Sequence, residues 1–227
     1  PENGNQIYSK FSAIKVKPID WLWYPYIPYG KLTLLQGDPG EGKTAFALQI
    51  ASLLSQGKPL PGSTSSTYPI EVIYQSSEDN AADTIKPRLM KAGADCERIA
   101  FVSDDDSRLS LIDERLREAI VQTNARLLIL DPLQAFIPSD CDMSRASDMR
   151  SAMSRLARLA EETDCAILLI GHMNKAGGSK GIYRSIGSID IPAIARSVLL
   201  IGRPDEDSDM RVVAHIKSNL APAGRCL

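Results

Sequence analysis

Short apolar runs alternate with longer stretches of helical periodicity along this chain, and that alternation predicts most of its architecture. Residues 31–36 form a brief apolar run between Gly30 and Gly37, and glycine-bounded runs of this length read as buried strands. The same reading gives strands at 70–75, 98–103, 126–130 and 165–170. Two more, at 197–201 and 210–217, are joined by the acidic turn 204–209. Between them, apolar residues recur at helical spacing over 44–56, 80–92, 109–121 and 144–163. Gly93 closes the second of these helices, and Pro87 kinks or restarts it, because proline lacks the amide proton a helix interior needs. Residues 56–69 are rich in Gly, Pro, Ser and Thr and read as a surface connection. Strands alternating with helices pair in parallel, with the helices on the sheet faces. The expected fold is α/β: a mainly parallel twisted sheet flanked by helices, with the last two strands as an antiparallel C-terminal extension. Residues 1–227 read as one domain, of which 1–20 are an N-terminal extension, and no internal repeat is visible.

The junction of the first strand and first helix carries the most specific chemistry. Gly37-Asp38-Pro39-Gly40-Glu41-Gly42-Lys43-Thr44 satisfies G-x-x-x-x-G-K-[ST], and Ala45 continues into the helix. Glycines let successive backbone N–H groups converge on an anion, and the helix N-terminus adds its positive dipole end. Residues 37–45 are therefore the expected ATP-binding segment, with Lys43 on the β- and γ-phosphates and the Thr44 hydroxyl on Mg²⁺.

Three strand ends add polar groups. The run 127–130 ends in Asp131-Pro132; parallel sheets bind ligands at the carboxyl ends of their strands, so Asp131 is the candidate for orienting Mg²⁺ through water. Ser76-Ser77-Glu78-Asp79-Asn80 follows the strand at 70–75. Glu78 is the candidate base for the attacking water, while Asp79 and Ser77 also suit helix caps. The run 166–170 ends in Gly171-His172. His172 would lie near the γ-phosphate if its strand sits between those carrying Lys43 and Asp131; otherwise it is structural. The glycine-rich segment 174–187 holds Lys175, Lys180, Tyr183 and Arg184. Cations interleaved with an aromatic ring suit a single-stranded nucleic acid, and an ordinary solvated loop explains them equally well. Trp21 and Trp23 either pack near the nucleotide or cover a sheet edge.

Composition narrows the setting. A formal net charge of −2 and a pI near 5.8 exclude a generally basic nucleic-acid binder, so any DNA contact must be a local patch. Asp104, Asp105 and Asp106 read as a solvated loop. Cys96, Cys141, Cys165 and Cys226 are scattered without metal-like spacing and read as reduced thiols. No apolar run approaches the roughly 18 residues of a membrane span, and the first residues carry no signal-peptide pattern. A soluble cytoplasmic protein without membrane attachment is expected. A start at Pro1 and a stop within a strand suggest a fragment of a longer chain.

From about Trp21 onward, the ordered set of Trp21-Leu22-Trp23, Ile27-Pro28-Tyr29-Gly30, the glycine loop, Ser77-Glu78-Asp79, Asp131-Pro132, Gly171-His172, Gly187-Ser188 with Arg196, and Lys217-Ser218-Asn219 resembles the RecA-like P-loop ATPases. Among these it is most similar to the plasmid and phage replicative helicases of the RepA-like hexameric family, and more distantly to DnaB and RadA. The resemblance implies a ring, hexameric in that family, that hydrolyses ATP with Mg²⁺ and acts on single-stranded DNA in replication. It implies that Glu78 is the catalytic glutamate, Asp131 the Walker B acid, His172 the sensor, and Arg196 an arginine finger serving the neighbouring subunit. Lys217 matches a lysine that accompanies the finger in DnaB-type proteins, but Asn219 stands where they carry arginine. The loop after His172 corresponds to the second DNA-binding loop of RecA-like proteins. A first such loop would span 135–149, where Asp140, Asp142 and Asp148 suit phosphate poorly. Two other classes stay open: a nucleotide-switched loader or regulator that does not translocate, and a small-molecule kinase, for which no cationic lid is evident.

Overall fold

The computed structural model describes residues 8–64, 68–103, 108–138, 146–173, 190–205 and 208–227. Its centre is a seven-stranded sheet made of β3 (Leu32–Gly37), β4 (Val72–Ser76), β5 (Ile99–Ala100), β6 (Leu127–Asp131), β7 (Ala166–His172), β8 (Ser197–Gly202) and β9 (Val212–Ser218), in the order β5-β4-β6-β7-β3-β8-β9. Every pairing is parallel except β8 with β9, which is antiparallel. The expected parallel sheet with an antiparallel extension is what forms. A small antiparallel hairpin, β1 (Trp21–Trp23) with β2 (Ile27–Pro28), precedes it.

The alternation of side chains across the pleat sorts each central strand between two cores. Leu32, Leu34, Leu128, Leu130, Ile167 and Leu169 face one core, shared with α3 (Glu114–Thr123) and α4 (Ala146–Thr163). Leu35, Leu127, Ile129, Leu168 and Ile170 face the other, beneath α1 (Lys43–Ser55) and α2 (Lys86–Lys91). Because both faces are covered, these strands read as unbroken apolar runs, the reason the sequence located them. Trp23 is buried in the second core, with its ring 4.6 Å from Tyr26 and 6.2 Å from Phe46 of α1. Tyr26 in turn meets His215 of the edge strand β9 at 5.3 Å. The aromatic hairpin thus covers α1 and the β9 edge.

Several boundaries differ from expectation, each for a local reason. The helix expected over 109–121 begins at Glu114, because the Asp113 side chain accepts from the Arg115 N–H and caps it. Leu109 and Leu111 ahead of it are buried in a loop that ends in a turn over 110–113, and the Leu111 N–H donates to the Phe136 carbonyl at 2.7 Å. The strand expected over 98–103 shrinks to Ile99–Ala100, since Asp95 caps a tight turn over Cys96–Arg98 through the Glu97 N–H. The helix expected over 80–92 is split: a wide π-type turn spans Ala81–Ile85, capped by Asn80, and α2 restarts with Pro87 in its first turn. A short helix α5 (Asp190–Ile194) leads into β8. Among the described residues, no helix is long and apolar enough to cross a membrane.

Candidate nucleotide site

The loop after β3 takes the shape its glycines permit. Gly40 and Gly42 adopt φ of +79° and +88°, the left-handed region that disfavours a side chain, and Gly42 sits at the N-cap of α1. At Gly37 a Cβ would collide with the backbone carbonyl of Ile201, so β8 presses against the loop's first residue. Lys43 folds into the loop: its ammonium donates to the carbonyls of Gly37 and Asp38, both at 2.9 Å. Of the three donors an ammonium carries, one remains for a phosphate oxygen. Burial lowers the Lys43 pKa, against the opposing pull of Asp131, Asp38, Glu41 and Glu78. Glu41 is held between Arg203 and Arg211, with Nε atoms at 3.7 and 3.6 Å, so the β8–β9 end of the sheet also braces the loop. The sequence gives no sign of that brace, which spans well over 150 positions of separation.

Asp131 ends β6 level with Ser76 of β4. Its Oδ2 accepts from the Thr44 hydroxyl at 2.7 Å and from the Tyr74 hydroxyl at 2.7 Å. Thr44 and Asp131, each expected to face Mg²⁺, hydrogen-bond each other, and Tyr74 is a strand residue for which the sequence predicts no such role. Burial, reinforced by the Asp131 charge, pushes the Tyr74 phenol above its ordinary range, so it stays a proton donor. A hydroxyl and a carboxylate side by side are hard oxygen donors of the type Mg²⁺ takes. No group of three or more His, Cys, Asp or Glu forms a metal cluster among the described residues.

β7 lies between β6 and β3, the placement on which the reading of His172 depended. Gly37 and His172 are paired in register, so the histidine stands level with the start of the phosphate loop. Burial lowers its pKa, as does the Lys43 charge, while Glu78 and Asp131 raise it. The ring is therefore neutral at pH 7, and its buried Nδ1 has no hydrogen-bond partner among the described residues. Asp79 pairs with Arg88 at 2.8 Å, and its N–H donates to the Ser76 hydroxyl. Helix capping falls to Asn80, not to Asp79 or Ser77. Glu78 is exposed and acts electrostatically on both Lys43 and His172. Lys43, Thr44, Glu78, Asp131 and His172 thus converge at the carboxyl ends of four adjacent strands.

Arg196 does not join them. It immediately precedes β8, its N–H donates to the Leu32 carbonyl, and its exposed side chain lies at the opposite end of the sheet. The length of β3 alone, roughly 16 Å, separates it from the loop in its own chain. Lys217 is at the same end, where its ammonium donates to the carbonyls of Pro192, Ala193 and Ala195 at 2.6, 3.0 and 2.8 Å. The DNA-binding candidates Lys175, Lys180, Tyr183 and Arg184 lie outside the described residues, as do Asp104, Asp105, Asp106, Asp140 and Asp142. Asp148 falls in the first turn of α4.

Comparison with known proteins gives the family and the fold. An AAA domain family model matches residues 8–178. The DNA repair protein RadA of Bacillus subtilis is 29% identical over 154 residues, 67% of this chain and 30% of that protein. RadA of Mycobacterium tuberculosis is 24% identical over 197 residues, 86% of this chain and 36% of that protein. The chain therefore spans about a third of these relatives. Among solved structures, the ATPase domain of G40P superposes with a TM-score of 0.65 at 18% identity, covering 86% of this chain and 79% of that one. A KaiC-like protein from Pyrococcus horikoshii gives 0.63 at 21%, covering 94% and 93%. With the sheet order, the phosphate loop and this family match in hand, the chain belongs to the AAA domain family, has a RecA-like P-loop ATPase fold and is similar in sequence to RadA.

Proposed function

We propose that this domain hydrolyses ATP with Mg²⁺ as part of a ring, a hexamer by resemblance, and couples the reaction to single-stranded DNA as a replicative helicase-type motor. The observation that carries the reading is the split of the machinery between the two ends of one sheet. The residues proposed to bind phosphate and prepare the water lie at the carboxyl ends of β3, β4, β6 and β7, and Arg196 lies at the other end. A second copy placed head to tail would complete a site divided in this way, and head-to-tail contacts form a ring when the rotation between copies closes.

Within the site, Lys43 neutralises charge on the β- and γ-phosphates. Thr44 and Asp131 would hold Mg²⁺, which supplies further neutralisation of phosphate charge when bound. The carboxylate of Glu78 accepts a proton from the water whose oxygen attacks the γ-phosphorus, as the bond to the bridging oxygen of ADP breaks. Arg196 of one copy stabilises charge in the site of the next. Neutral His172 touches the γ-phosphate and, because β7 runs directly into the segment with Lys175, Lys180, Tyr183 and Arg184, passes phosphate state to the DNA-contacting loop.

The first test is steady-state ATP hydrolysis with and without single-stranded DNA, with Lys43→Ala as the blank. Strong DNA stimulation that vanishes in the variant is expected. Slow turnover indifferent to DNA, in protein shown to be assembled, would sink the motor and favour a nucleotide-switched loader.

A further inference from the structure

We propose that a cavity at the far end of the sheet is a phosphoanion site for the nucleotide of a neighbouring copy, and that Arg158 acts there as a second trans-acting cation beside Arg196. The proposal rests on the reading of Arg196 given above. The cavity, of about 290 Å³, lies between the start of β3, helix α4 and the start of β8, and Lys31, Arg158, Glu161 and Arg196 supply its charges. Gly30, at the cavity's edge, takes a φ of +63°, the left-handed region that favours glycine, where the chain turns into β3 beside α4.

Sorting the charges leaves two cations over. Lys31 is neutralised by its ion pair with Glu161. Arg126, just before β6 at this end, is paired with Asp164, and Lys217 has all three of its N–H donors committed to the carbonyls around the end of α5. Arg158 and Arg196 are both exposed, and neither has an ion-pair partner among the described residues. Two uncompensated guanidiniums lining one pocket repel each other unless an anion enters.

The anion's chemistry follows from what two arginines offer. The charge of a transferring phosphoryl group is spread over three equatorial oxygens. One guanidinium fork engages two oxygens, and a second covers the third. DnaB-type proteins, by resemblance, place an arginine two positions beyond the lysine, where this chain has Asn219. Arg158 offers a second cation from α4 in the cavity that Arg196 lines.

The test measures turnover in assembled full-length protein for Arg158→Ala, Arg158→Lys and Arg196→Ala, each alone and mixed with an equal amount of Lys43→Ala subunits. Arg158→Ala should lower kcat by about 10²-fold, while its nucleotide affinity and melting temperature stay at wild-type values because its own phosphate loop is intact. Arg158→Lys should recover part of the loss, since charge remains but the fork is gone. Mixing with Lys43→Ala should restore roughly a quarter of wild-type turnover, the share of head-to-tail interfaces that pair an intact loop with an intact arginine. If Arg158→Ala turns over like wild type while Arg196→Ala falls, the proposal is overturned and the trans reading of Arg196 stands. Restoration of Arg196→Ala but not of Arg158→Ala by mixing also overturns it, leaving Arg158 a structural residue. If neither arginine matters in assembled protein, the trans reading itself fails, and this proposal with it.

Discussion

Asp131 shows how much a single side chain owes to its neighbours. Its Oδ2 accepts two hydroxyl hydrogen bonds, from Thr44 on α1 and from Tyr74 on β4, so the carboxylate is fixed between three elements. Partners behind a ligand commonly matter nearly as much as the ligand. Tyr74→Phe removes one hydroxyl and no ring packing; it should cut kcat about 10-fold and raise the Mg²⁺ concentration needed for half-maximal rate, measured by titrating the metal at saturating ATP. The neighbouring acids separate just as sharply. Asp79 is occupied by Arg88, whereas Glu78 is exposed and in electrostatic reach of Lys43 and His172. Glu78→Gln should lower turnover by about 10²–10⁴-fold, the range for a lost general base, and Asp79→Asn should change it only a few-fold; parallel steady-state assays decide. The sequence set Glu78 ahead of Asp79 as the base, and the ion pair of Asp79 with Arg88 gives a tertiary reason that no local pattern contains.

At the scale of elements, the pairing of β8 with β9 is held by groups that titrate. The Gly224 N–H donates to His215 Nδ1 at 2.9 Å, so that nitrogen carries no proton, and Nε2–H donates to the Ser197 hydroxyl at 3.0 Å. Burial lowers the His215 pKa below its ordinary value. The unfolded chain then binds more protons than the folded one as pH falls through about 6.5, so stability is full above that value and declines below it. Urea midpoints should fall between pH 7.5 and 5.5, and His215→Gln should flatten that fall. His172, also shifted down, contributes with the same sign. Lys217 joins β9 to α5 through three carbonyls. Lys217→Met should leave those carbonyls unpaired and cost about 1–3 kcal/mol, visible as a lower melting temperature. An arginine-finger role would instead lower turnover with melting unchanged, so the two measurements together assign the residue.

For the whole molecule, the order of strands matters more than their number. Inserting β7 between β6 and β3 brings His172 beside the phosphate loop, and the parallel run of β8 puts Arg196 at the opposite end. Residues 8–19 stand apart from both cores: all are exposed, including Phe11 at 91% and Val16 at 95%. Lying outside both cores, they contribute little to the fold of a subunit. A variant lacking 8–19 should unfold within about 0.5 kcal/mol of the parent at a concentration where both are monomeric, as read by denaturant titration.

The sequence by itself determined the elements and their sidedness. Buried parallel strands must be continuously apolar and phosphate loops need glycine at fixed spacing, so β3, β6, β7 and the segment 37–45 could be read directly. It also fixed which strand ends bear polar groups, because those groups interrupt the runs at Asp131 and His172. Where helix α3 starts was decided by one cap, Asp113, which periodicity does not register. Only the tertiary structure decided who meets whom. The hold of Tyr74 on Asp131, the brace of Arg203 and Arg211 on Glu41, the capture of Lys217 by α5 and the company Arg158 keeps with Arg196 all join residues far apart in the chain. A hydrogen bond or a shared cavity depends on strand order and register, and these are set by the packing of the whole sheet rather than by any local pattern.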